Sequence, residues 1–175
     1  MRPPERNLPY IGRLDAVLQA DSVLVTWVYR PEDLVCGRKA FHGVREVMVS
    51  DHSDVVTAGS IIGRCAVLSL KEYQSVVARS GGSDALFFTR FTYSAAKRVC
   101  SPRVVPAFCT CSMPYNPDAG PMCACTGGCR DWYHVTCLKA AAAAAAAGAG
   151  PLIRQDGTCL CVGCVQGLRG GKKDG

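Results

Sequence analysis

Residues 109–137 have the sequence CTCSMPYNPDAGPMCACTGGCRDWYHVTC, which concentrates six cysteines and one histidine in one short stretch. Two more potential ligands follow at Cys161 and Cys164. Zn²⁺ prefers four tetrahedral nitrogen and sulfur ligands, and a short spacing lets two of them bind the same ion. We therefore predict two structural zinc ions. Their eight ligands are four close pairs: Cys109 and Cys111, Cys125 and Cys129, His134 and Cys137, Cys161 and Cys164.

The four pairs are expected to interleave. Pairs one and three share the first ion, and pairs two and four share the second, so that metal binding energy becomes folding energy. Cys123 and Cys159 lie close enough to compete as ligands. Cys125 ranks above Cys123 because it is nearer to Cys129, and Cys161 ranks above Cys159 because two residues separate it from Cys164. Both shells are full, so no open position for catalysis is expected.

The composition is that of a folded domain protein with a modest positive charge. The 175 residues are 49% apolar and 19% charged, and the formal net charge is +6. No apolar run is long enough to span a membrane, and the N-terminus lacks the apolar segment of a signal peptide, so no membrane partner is expected. Metal binding is then a better explanation for the cysteines than disulfides. The charge is compatible with weak nucleic-acid contact, but a dedicated DNA-binding protein concentrates more of it on one element.

Two regions with different patterns meet near residue 106. The first, residues 1–105, is rich in β-branched and aromatic runs and indicates a mostly β barrel or sandwich. Its predicted elements are four strands, Asp21 to Tyr29, Val44 to Val49, Ser60 to Leu70 and Ala85 to Tyr93, and one helix, Lys71 to Ala78. Residues 106–164 have too small an apolar core to fold without metal. Residues 165–175 are Gly-rich and basic, which predicts a disordered tail.

An alanine tract, Ala140 to Ala147, interrupts the zinc-binding region as part of an insertion over residues 140–150. Alanine favours helix, but a helix of this length is marginal without packing. A low-complexity insertion in a surface loop is the favoured interpretation.

The order of the ligands resembles that of a PHD finger, in which the histidine is the fifth ligand and a tryptophan precedes it, here Trp132. The stretches from Cys111 to Asp118 and from Asp131 to His134 are similar to the finger of the short plant BAH–PHD proteins. In the first region, the stretches 27–32, 37–43 and 46–52 resemble their BAH (bromo-adjacent homology) domain. The implied fold is mostly β: a partial BAH β-barrel followed by a small two-zinc cross-brace PHD finger.

The resemblance implies a reader of histone H3 that acts in chromatin complexes in the nucleus, regulates transcription and has no catalytic activity. The BAH domain of the family recognises trimethylated lysine 27, and the PHD finger recognises trimethylated lysine 4. A trimethylammonium group is held by aromatic faces through cation–π attraction and burial. The positions that match the cage of the finger are Phe108, Tyr115, Met122 and Trp132, and those that match the cage of the BAH domain are Tyr10, Trp27 and Tyr29.

Each cage has an alternative in which its members form a core. Trp27 and Tyr29 share one side of a predicted strand with Val23 and Val25, and the candidates in the finger could form its small core. His42 and His52 lie in two of the matched motifs, and for both of them contact with the histone tail and a buried structural role are open. The peptide is expected to add as a β-strand near residues 122–125.

Three departures from the family pattern leave other functions open. Seven residues precede Leu8, which implies that part of the β-barrel is missing and that a sheet edge is exposed. Thr126–Gly128 replaces an acidic residue between the third and fourth ligands, and the alanine tract replaces the loop that receives the histone N-terminus. The alternatives are a protein or DNA-binding scaffold that has lost methyl-lysine recognition and, less favoured, a RING-like ubiquitin ligase.

Overall fold

The structure is a computed structural model that describes residues 8–103, 106–146 and 150–170, with the backbone alone for residues 168–170. The chain forms two compact units, Met1–Val104 and Val105–Gly175. Each unit has its own architecture and its own core. Within the described ranges, no helix is both long enough and apolar enough to span a bilayer.

The first unit is a six-stranded sheet with one helix, so the predicted mostly β fold is confirmed. Its elements are β1 (Ile11–Val17), β2 (Ser22–Tyr29), β3 (Glu46–Thr57), β4 (Ala66–Ser69), α1 (Leu70–Ser80), β5 (Leu86–Ser94) and β6 (Val99–Ser101). The strand order is β1-β2-β3-β5-β4, and β6 pairs with β5. β1, β2 and β3 form an antiparallel meander, whereas β5 runs parallel to both β3 and β4. α1 provides the crossover that a parallel pair requires.

The core of this unit follows from the alternation of apolar side chains along its strands. Ile11, Val28 and Val47 are buried together, and partly buried side chains from β4 and β5 pack against them. The ring of Tyr73 lies 4.8 Å from that of the fully buried Phe88, which holds α1 against β5. The sheet therefore has a hydrophobic centre formed by residues that are far apart in sequence.

A capping box determines where α1 begins. The Ser69 hydroxyl accepts the Glu72 N–H at 3.3 Å, and the Glu72 carboxylate accepts the Ser69 N–H at 3.0 Å. This reciprocal pair satisfies two backbone donors that a helix N-terminus otherwise leaves open. The helix is longer than the predicted Lys71 to Ala78 by one residue at its start and two at its end.

One fully buried carboxylate lies in the first unit. Glu46 has no solvent exposure, and it accepts two hydrogen bonds of 2.7 Å from the guanidinium of Arg90. The N–H of Gly43 donates a third bond to this carboxylate at 3.0 Å. A bidentate guanidinium and a backbone donor compensate for the loss of hydration. The pair joins the start of β3 to β5.

Two strands were predicted with the wrong extent, and two were missed. β3 continues to Thr57, well beyond the predicted end at Val49, and much of the predicted strand from Ser60 to Leu70 lies outside β4. β1 and β6 were not predicted. β1 includes Arg13 and Asp15 and is mostly exposed, as expected of a strand at the end of the sheet, so it lacks the alternation of a half-buried strand.

The second unit consists of short elements around a cysteine-rich core. Its elements are β7 (Met122–Ala124), β8 (Trp132–His134), α2 (Val135–Ala144), β9 (Leu152–Ile153), β10 (Cys159–Leu160) and α3 (Val162–Gly170). β7 pairs with β8 and β9 with β10, both antiparallel. The buried core contains five cysteines with Tyr133, Leu138, Leu160 and Val165.

The alanine tract corrects one prediction. Residues 140–144 belong to α2, so the interpretation of this part as a loop insertion was wrong. The helix begins at Val135, and its buried Leu138 supplies the tertiary packing that the tract lacks by itself. A Cβ at Gly150 would lie 3.1 Å from Ala142 Cα and from Ala145 Cβ, so the returning chain packs closely against the tract.

The C-terminal segment corrects another. Residues 165–170 lie in α3 rather than in a disordered tail, and Val165 is buried in the core of the second unit. The short pattern around Val165 was too Gly-rich to indicate a helix, and packing against the cysteine core overrides this weak propensity. The remainder of the predicted tail, residues 171–175, lies outside the described residues.

Candidate functional site

The eight predicted metal ligands form two clusters, and their grouping is the predicted interleaved one. In each cluster the ligand atoms all lie within 4.8 Å of one another. The first cluster contains Cys109, Cys111, His134 and Cys137, and the second contains Cys125, Cys129, Cys161 and Cys164. Ligand pairs of the first and the second cluster alternate along the chain. Two bound metal ions would therefore cross-link the same stretch of chain at two places.

Both clusters are built in the same way, from one turn and the first turn of one helix. His134 immediately precedes α2 and Cys137 lies in its first turn, while Cys161 precedes α3 and Cys164 lies in its first turn. Residues three apart at the start of a helix lie on one face, which explains the x2 spacing. The partial positive charge at a helix N-terminus also stabilises thiolates.

Distances within the clusters match a tetrahedral metal. Zinc–sulfur bonds of about 2.3 Å and zinc–nitrogen bonds of about 2.0–2.1 Å imply edges of about 3.8 Å between sulfurs and about 3.6 Å between sulfur and nitrogen. Cys129 Sγ lies 3.8 Å from Cys161 Sγ and 3.7 Å from Cys164 Sγ. His134 Nδ1 lies 3.5 Å from Cys111 Sγ and 4.0 Å from Cys137 Sγ. The residues therefore fit a structural metal ion in each cluster.

One thiol in each cluster is easier to ionise than an ordinary cysteine. Burial raises the pKa of Cys109, but hydrogen bonds from the N–H groups of Cys111 and His134 outweigh it and leave this pKa at about 6. Burial likewise raises the pKa of Cys161, and hydrogen bonds from the Tyr133 hydroxyl and the Cys164 N–H bring it to about 7. Thiolates are the form in which cysteine binds metals.

Cys123 and Cys159 lie outside both clusters. They are almost completely buried, and each thiol donates to a backbone carbonyl at 3.7 Å, Cys123 to that of Tyr133 and Cys159 to that of Cys123. Burial, followed by the neighbouring Cys123 thiol, raises the pKa of Cys159 to about 12. Both residues therefore behave as small core side chains, and the ranking of Cys125 and Cys161 above them agrees with the grouping in the structure.

Gly127 is a residue of the second cluster that the sequence did not reveal. A Cβ on this residue would lie 2.5 Å from Cys164 Sγ, 2.6 Å from Cys164 Cβ and 3.4 Å from Cys125 Sγ. In contrast, a Cβ on Gly128 would meet nothing within 4 Å. The segment Thr126–Gly128 therefore lets the backbone approach the ligands closely. The family resemblance implies only that an acidic residue is replaced here, and the ligand spacing gives no sign of this contact.

The candidate cage of the finger lies on the two-stranded sheet and on the segments before it. Met122 pairs with His134, and Ala124 pairs with Trp132, so Met122 and Trp132 lie on the same side of the sheet. Trp132 is 49% exposed, which is more than expected if this large side chain belonged to the core of the unit. Phe108 is also exposed and Tyr115 is half-buried. Their convergence with Trp132 remains a prediction.

In the first unit, two of the three predicted cage residues form an aromatic corner. The rings of Tyr10 and Trp27 meet edge to face with centroids 6.0 Å apart. Tyr10 is 75% exposed and Trp27 is half-buried. Gly12 pairs with Trp27 across β1 and β2, and a Cβ there would lie 3.6 Å from the indole. Val23 and Val25 lie on the same side of β2 as Trp27 and are buried. This side of the strand is therefore part of the core at its start and partly accessible at Trp27.

Tyr29, the third predicted member, lies on the same side of β2 as Trp27 and has its own aromatic neighbours. Its hydroxyl shares a hydrogen bond with Nδ1 of His52, and the two rings are parallel with centroids 6.2 Å apart. The ring of Tyr93, a residue with no sequence signal for this site, lies edge-on with its centroid 5.7 Å from that of Tyr29. Burial raises the pKa of Tyr29, and Tyr93 and the carboxylates of Asp33 and Asp54 raise it further. The surroundings of Tyr29 are therefore aromatic and negatively charged.

The two motif histidines have different environments. His52 is exposed beside Tyr29. His42 is buried between Phe41 and Phe91, with ring centroids 4.4 and 5.4 Å away, and its Nδ1 accepts the Lys39 N–H at 3.0 Å. The structure thus supports the structural role for His42 and leaves His52 accessible.

A family model described as the BAH domain matches residues 6–101, more than half of the chain. The chain therefore belongs to the BAH-domain family. Its second unit adds the paired cysteine and histidine clusters of a PHD-type finger, and this combination is that of the plant BAH–PHD proteins.

Two relatives from Arabidopsis thaliana cover most of the chain. The chain is 40% identical over 144 residues to "Chromatin remodeling protein EBS" and 40% identical over 145 residues to "Chromatin remodeling protein SHL". Each alignment covers 79% of this chain, but 59% and 61% of the respective relatives, so the chain spans about three fifths of their length. Among solved structures, the yeast Rsc2 BAH domain matches with a TM-score of 0.37 and 22% identity, over 55% of this chain and 43% of that one.

Proposed function

We propose that this protein is a chromatin reader that binds methylated lysines of the histone H3 tail through two separate sites. The first unit takes trimethylated lysine 27, and the second takes trimethylated lysine 4. The observation that carries the proposal is the accessible aromatic corner of Tyr10 and Trp27, in a BAH domain whose relatives are chromatin proteins. An open aromatic corner on a folded sheet suits a ligand that is both cationic and apolar.

The chemistry around Tyr29 supports a cationic ligand. Trimethylammonium cannot donate a hydrogen bond, so it requires aromatic faces and nearby negative charge rather than specific acceptors. Asp33 and Asp54 contribute that charge, and His52 fixes the Tyr29 hydroxyl through a hydrogen bond. A tail that brings its methylated lysine between Tyr10, Trp27 and Tyr29 would cover an otherwise exposed apolar surface.

The second site is proposed on the side of the β7 and β8 sheet that carries the exposed Trp132. Trp132 would provide the main aromatic face, with Met122 on the same side and Phe108 and Tyr115 from the preceding segments. β7 pairs with β8 along one edge, and at the end of its other edge Cys125 bridges to Cys159, so the peptide would add along the remaining part of that edge, near Met122. Such addition gives affinity through main-chain hydrogen bonds and specificity through side-chain pockets.

We assign a structural role to the metal, which we propose is zinc. All ligand positions in each cluster are filled by three or four sulfurs with at most one imidazole, the donor set that favours this ion. Zinc bound there would cross-link the loops that present Trp132. We propose a binding protein rather than an enzyme, located in the nucleus as part of chromatin complexes. Elemental analysis of the purified chain should find two zinc ions per molecule.

Binding to histone peptides in both methylation states tests the proposal. The protein should bind trimethylated peptides at least about tenfold more tightly than the same unmodified peptides, because a desolvated cation–π contact contributes about 2 kcal/mol. Trp27→Ala should lower the affinity for the peptide with trimethylated lysine 27 and leave the affinity for the peptide with trimethylated lysine 4 unchanged. Trp132→Ala should have the opposite effect. Isothermal titration calorimetry measures all four combinations.

A matched control separates recognition from loss of folding. Leu14→Ala removes another exposed apolar side chain of the first unit and should change neither affinity. Circular dichroism and zinc content should be the same in all variants. Equal affinity for methylated and unmodified peptides would contradict the proposal. Steeply salt-dependent DNA binding without peptide binding would favour the scaffold alternative instead.

A further inference from the structure

Two cysteines of the first unit lie side by side, remote in sequence from the metal ligands. Cys36 Sγ and Cys100 Sγ are 3.3 Å apart, although 64 positions separate the two residues in the chain. Cys36 follows the short 3-10 turn Pro31–Asp33, and Cys100 lies in β6. A disulfide bond is about 2.05 Å long, so the two sulfurs would need to approach by little more than 1 Å.

Both thiols are positioned by hydrogen-bonded backbone. The Gly37 N–H donates to the Leu34 carbonyl at 3.0 Å, which closes the turn that contains Cys36. The guanidinium of Arg38 binds the Glu32 carboxylate at 2.7 Å across the same turn. Cys100 pairs with Tyr93 in the ladder of β5 and β6. The closeness of the sulfurs therefore follows from secondary structure rather than from a free loop.

The two thiols differ in exposure and acidity. Cys36 is exposed, whereas Cys100 is half-buried and its sulfur also lies 3.5 Å from Met48 Sδ. Burial, and then the hydrogen bond with Cys36, raises the pKa of Cys100 to about 11. The accessible thiol can therefore meet a reagent from solution, and the inner thiol is placed to attack the product.

We propose that Cys36 and Cys100 form a reversible thiol–disulfide site that a small-molecule disulfide oxidises. The Cys36 thiolate attacks one sulfur of the oxidant, which forms a mixed disulfide and releases one thiolate. Cys100 then loses its proton and attacks the Cys36 sulfur, which forms the internal bond and releases the second thiolate. With glutathione disulfide as oxidant, two protein thiols become one disulfide and two molecules of glutathione are produced.

The site lies close to Tyr29 of the proposed first-unit cage. Met48, which contacts the Cys100 sulfur, pairs with Tyr29 across β2 and β3. Tyr93 pairs with Cys100 and its ring meets that of Tyr29. A bond between the two cysteines would join the Cys36 turn to β6 and brace this face of the sheet. The oxidation itself is independent of the proposed reader function.

The test titrates the full zinc-loaded chain with glutathione buffers of increasing oxidising ratio. We expect loss of two alkylatable thiols per molecule and one cross-linked Cys36–Cys100 peptide in the mass spectrum, with zinc retained. Closing a loop of this length should raise the melting temperature of the first unit by at least about 10 °C, and dithiothreitol should reverse the shift. Fluorescence of Trp27 in a Trp132→Phe background reports on this unit, because the chain has two tryptophans.

Matched variants make the outcome decisive. Cys36→Ser and Cys100→Ser should each abolish the cross-linked peptide and the melting shift. Cys65→Ser, which removes another exposed thiol of the same unit, should leave both unchanged. A stable glutathione adduct on Cys36 without ring closure, a bond between two chains, or cross-linking that requires denaturant would each overturn the proposal.

Discussion

The two units of this chain are stabilised by different physics. In the first unit the most deeply buried side chains include Phe88, Val47 and Met48, which a sheet of long-range strand pairs brings together. In the second unit five of the nine buried core residues are cysteines, and the strands are two or three residues long. A sheet core gains stability from apolar area, whereas a small loop-rich unit requires a metal cross-link. The comparison predicts that the two units respond separately to the same perturbation.

Metal removal should produce the largest difference between the units. Structural zinc contributes an apparent free energy of about 10–16 kcal/mol in finger peptides, so a strong chelator should unfold the second unit. The first unit should keep its Trp27 fluorescence and its melting transition. Limited proteolysis should then cut the chain within residues 105–175 and spare the rest. A Trp132 signal that stays native in chelator would refute the role given to the clusters.

Breaking the buried ion pair between Arg90 and Glu46 should destabilise the first unit and leave the second unit unchanged. Arg90→Ala leaves the Glu46 carboxylate buried and uncompensated, which should cost the first unit about 3–5 kcal/mol of unfolding free energy. Urea unfolding followed by Trp27 fluorescence in the Trp132→Phe background measures this loss, and zinc content should not change. Arg13→Ala disrupts the exposed pair with Asp15 and should barely move the urea midpoint. Comparable shifts from the two substitutions would show that burial is not the cause.

Adding a single methyl group should have different effects at Gly127 and at the adjacent Gly128 of the second unit. Gly127→Ala forces a Cβ against Cys164, and overpacking of about 1–3 kcal/mol would weaken metal binding at the second cluster about fivefold to 150-fold. Gly128→Ala adds the same methyl group where nothing lies within 4 Å and should preserve the affinity. Competition with a chromogenic chelator measures both. Equal affinities would mean that the loop adjusts at no cost.

The smallest expected effect is a pH dependence confined to the first unit. Burial lowers the pKa of His42 below 6.5, and the positive charges of Arg38, Arg90 and Lys39 add to this despite the opposing Glu46. The folded state therefore binds a proton less readily than the unfolded state. The contribution of His42 to the free energy of unfolding is therefore constant above about pH 6.5 and falls as the pH drops below that value.

His42→Asn tests this dependence, because it removes the titration while it keeps an acceptor near Lys39. The loss of urea midpoint between about pH 7.5 and pH 5.5 should be smaller in the variant than in the wild type. Trp27 fluorescence in the Trp132→Phe background again isolates the first unit. An identical pH profile in both proteins would exclude His42 as the source.

Most of the candidate metal site could be predicted because its signals are local. Two ligands that bind one ion lie two to four residues apart, so their spacing is visible in the sequence before any fold is known. The contact of Gly127 with Cys164 was not predictable in this way, because it depends on where α3 packs. The same is true of Val165, whose burial turns an expected tail into a helix.

In contrast, most of the surroundings of the candidate site in the first unit could not be predicted from the sequence. The alternation along β2 places Trp27 and Tyr29 on one side, but nothing in their spacing indicates that His52 and Tyr93 surround Tyr29. Those neighbours come from β3 and β5, whose register depends on the whole sheet. The extent of β3 was also underestimated, since its exposed second half lacks apolar alternation.

By itself, the sequence determined the identity and order of the eight predicted metal ligands and the mostly β character of the first hundred residues. Each of these depends on residues within a few positions of one another. Tertiary structure decided the aromatic surroundings of Tyr29, the helical state of the alanine tract and the meeting of Cys36 with Cys100 across 64 positions. Such contacts arise when strands and helices pack to bury apolar surface, and no local spacing encodes the register in which they do so.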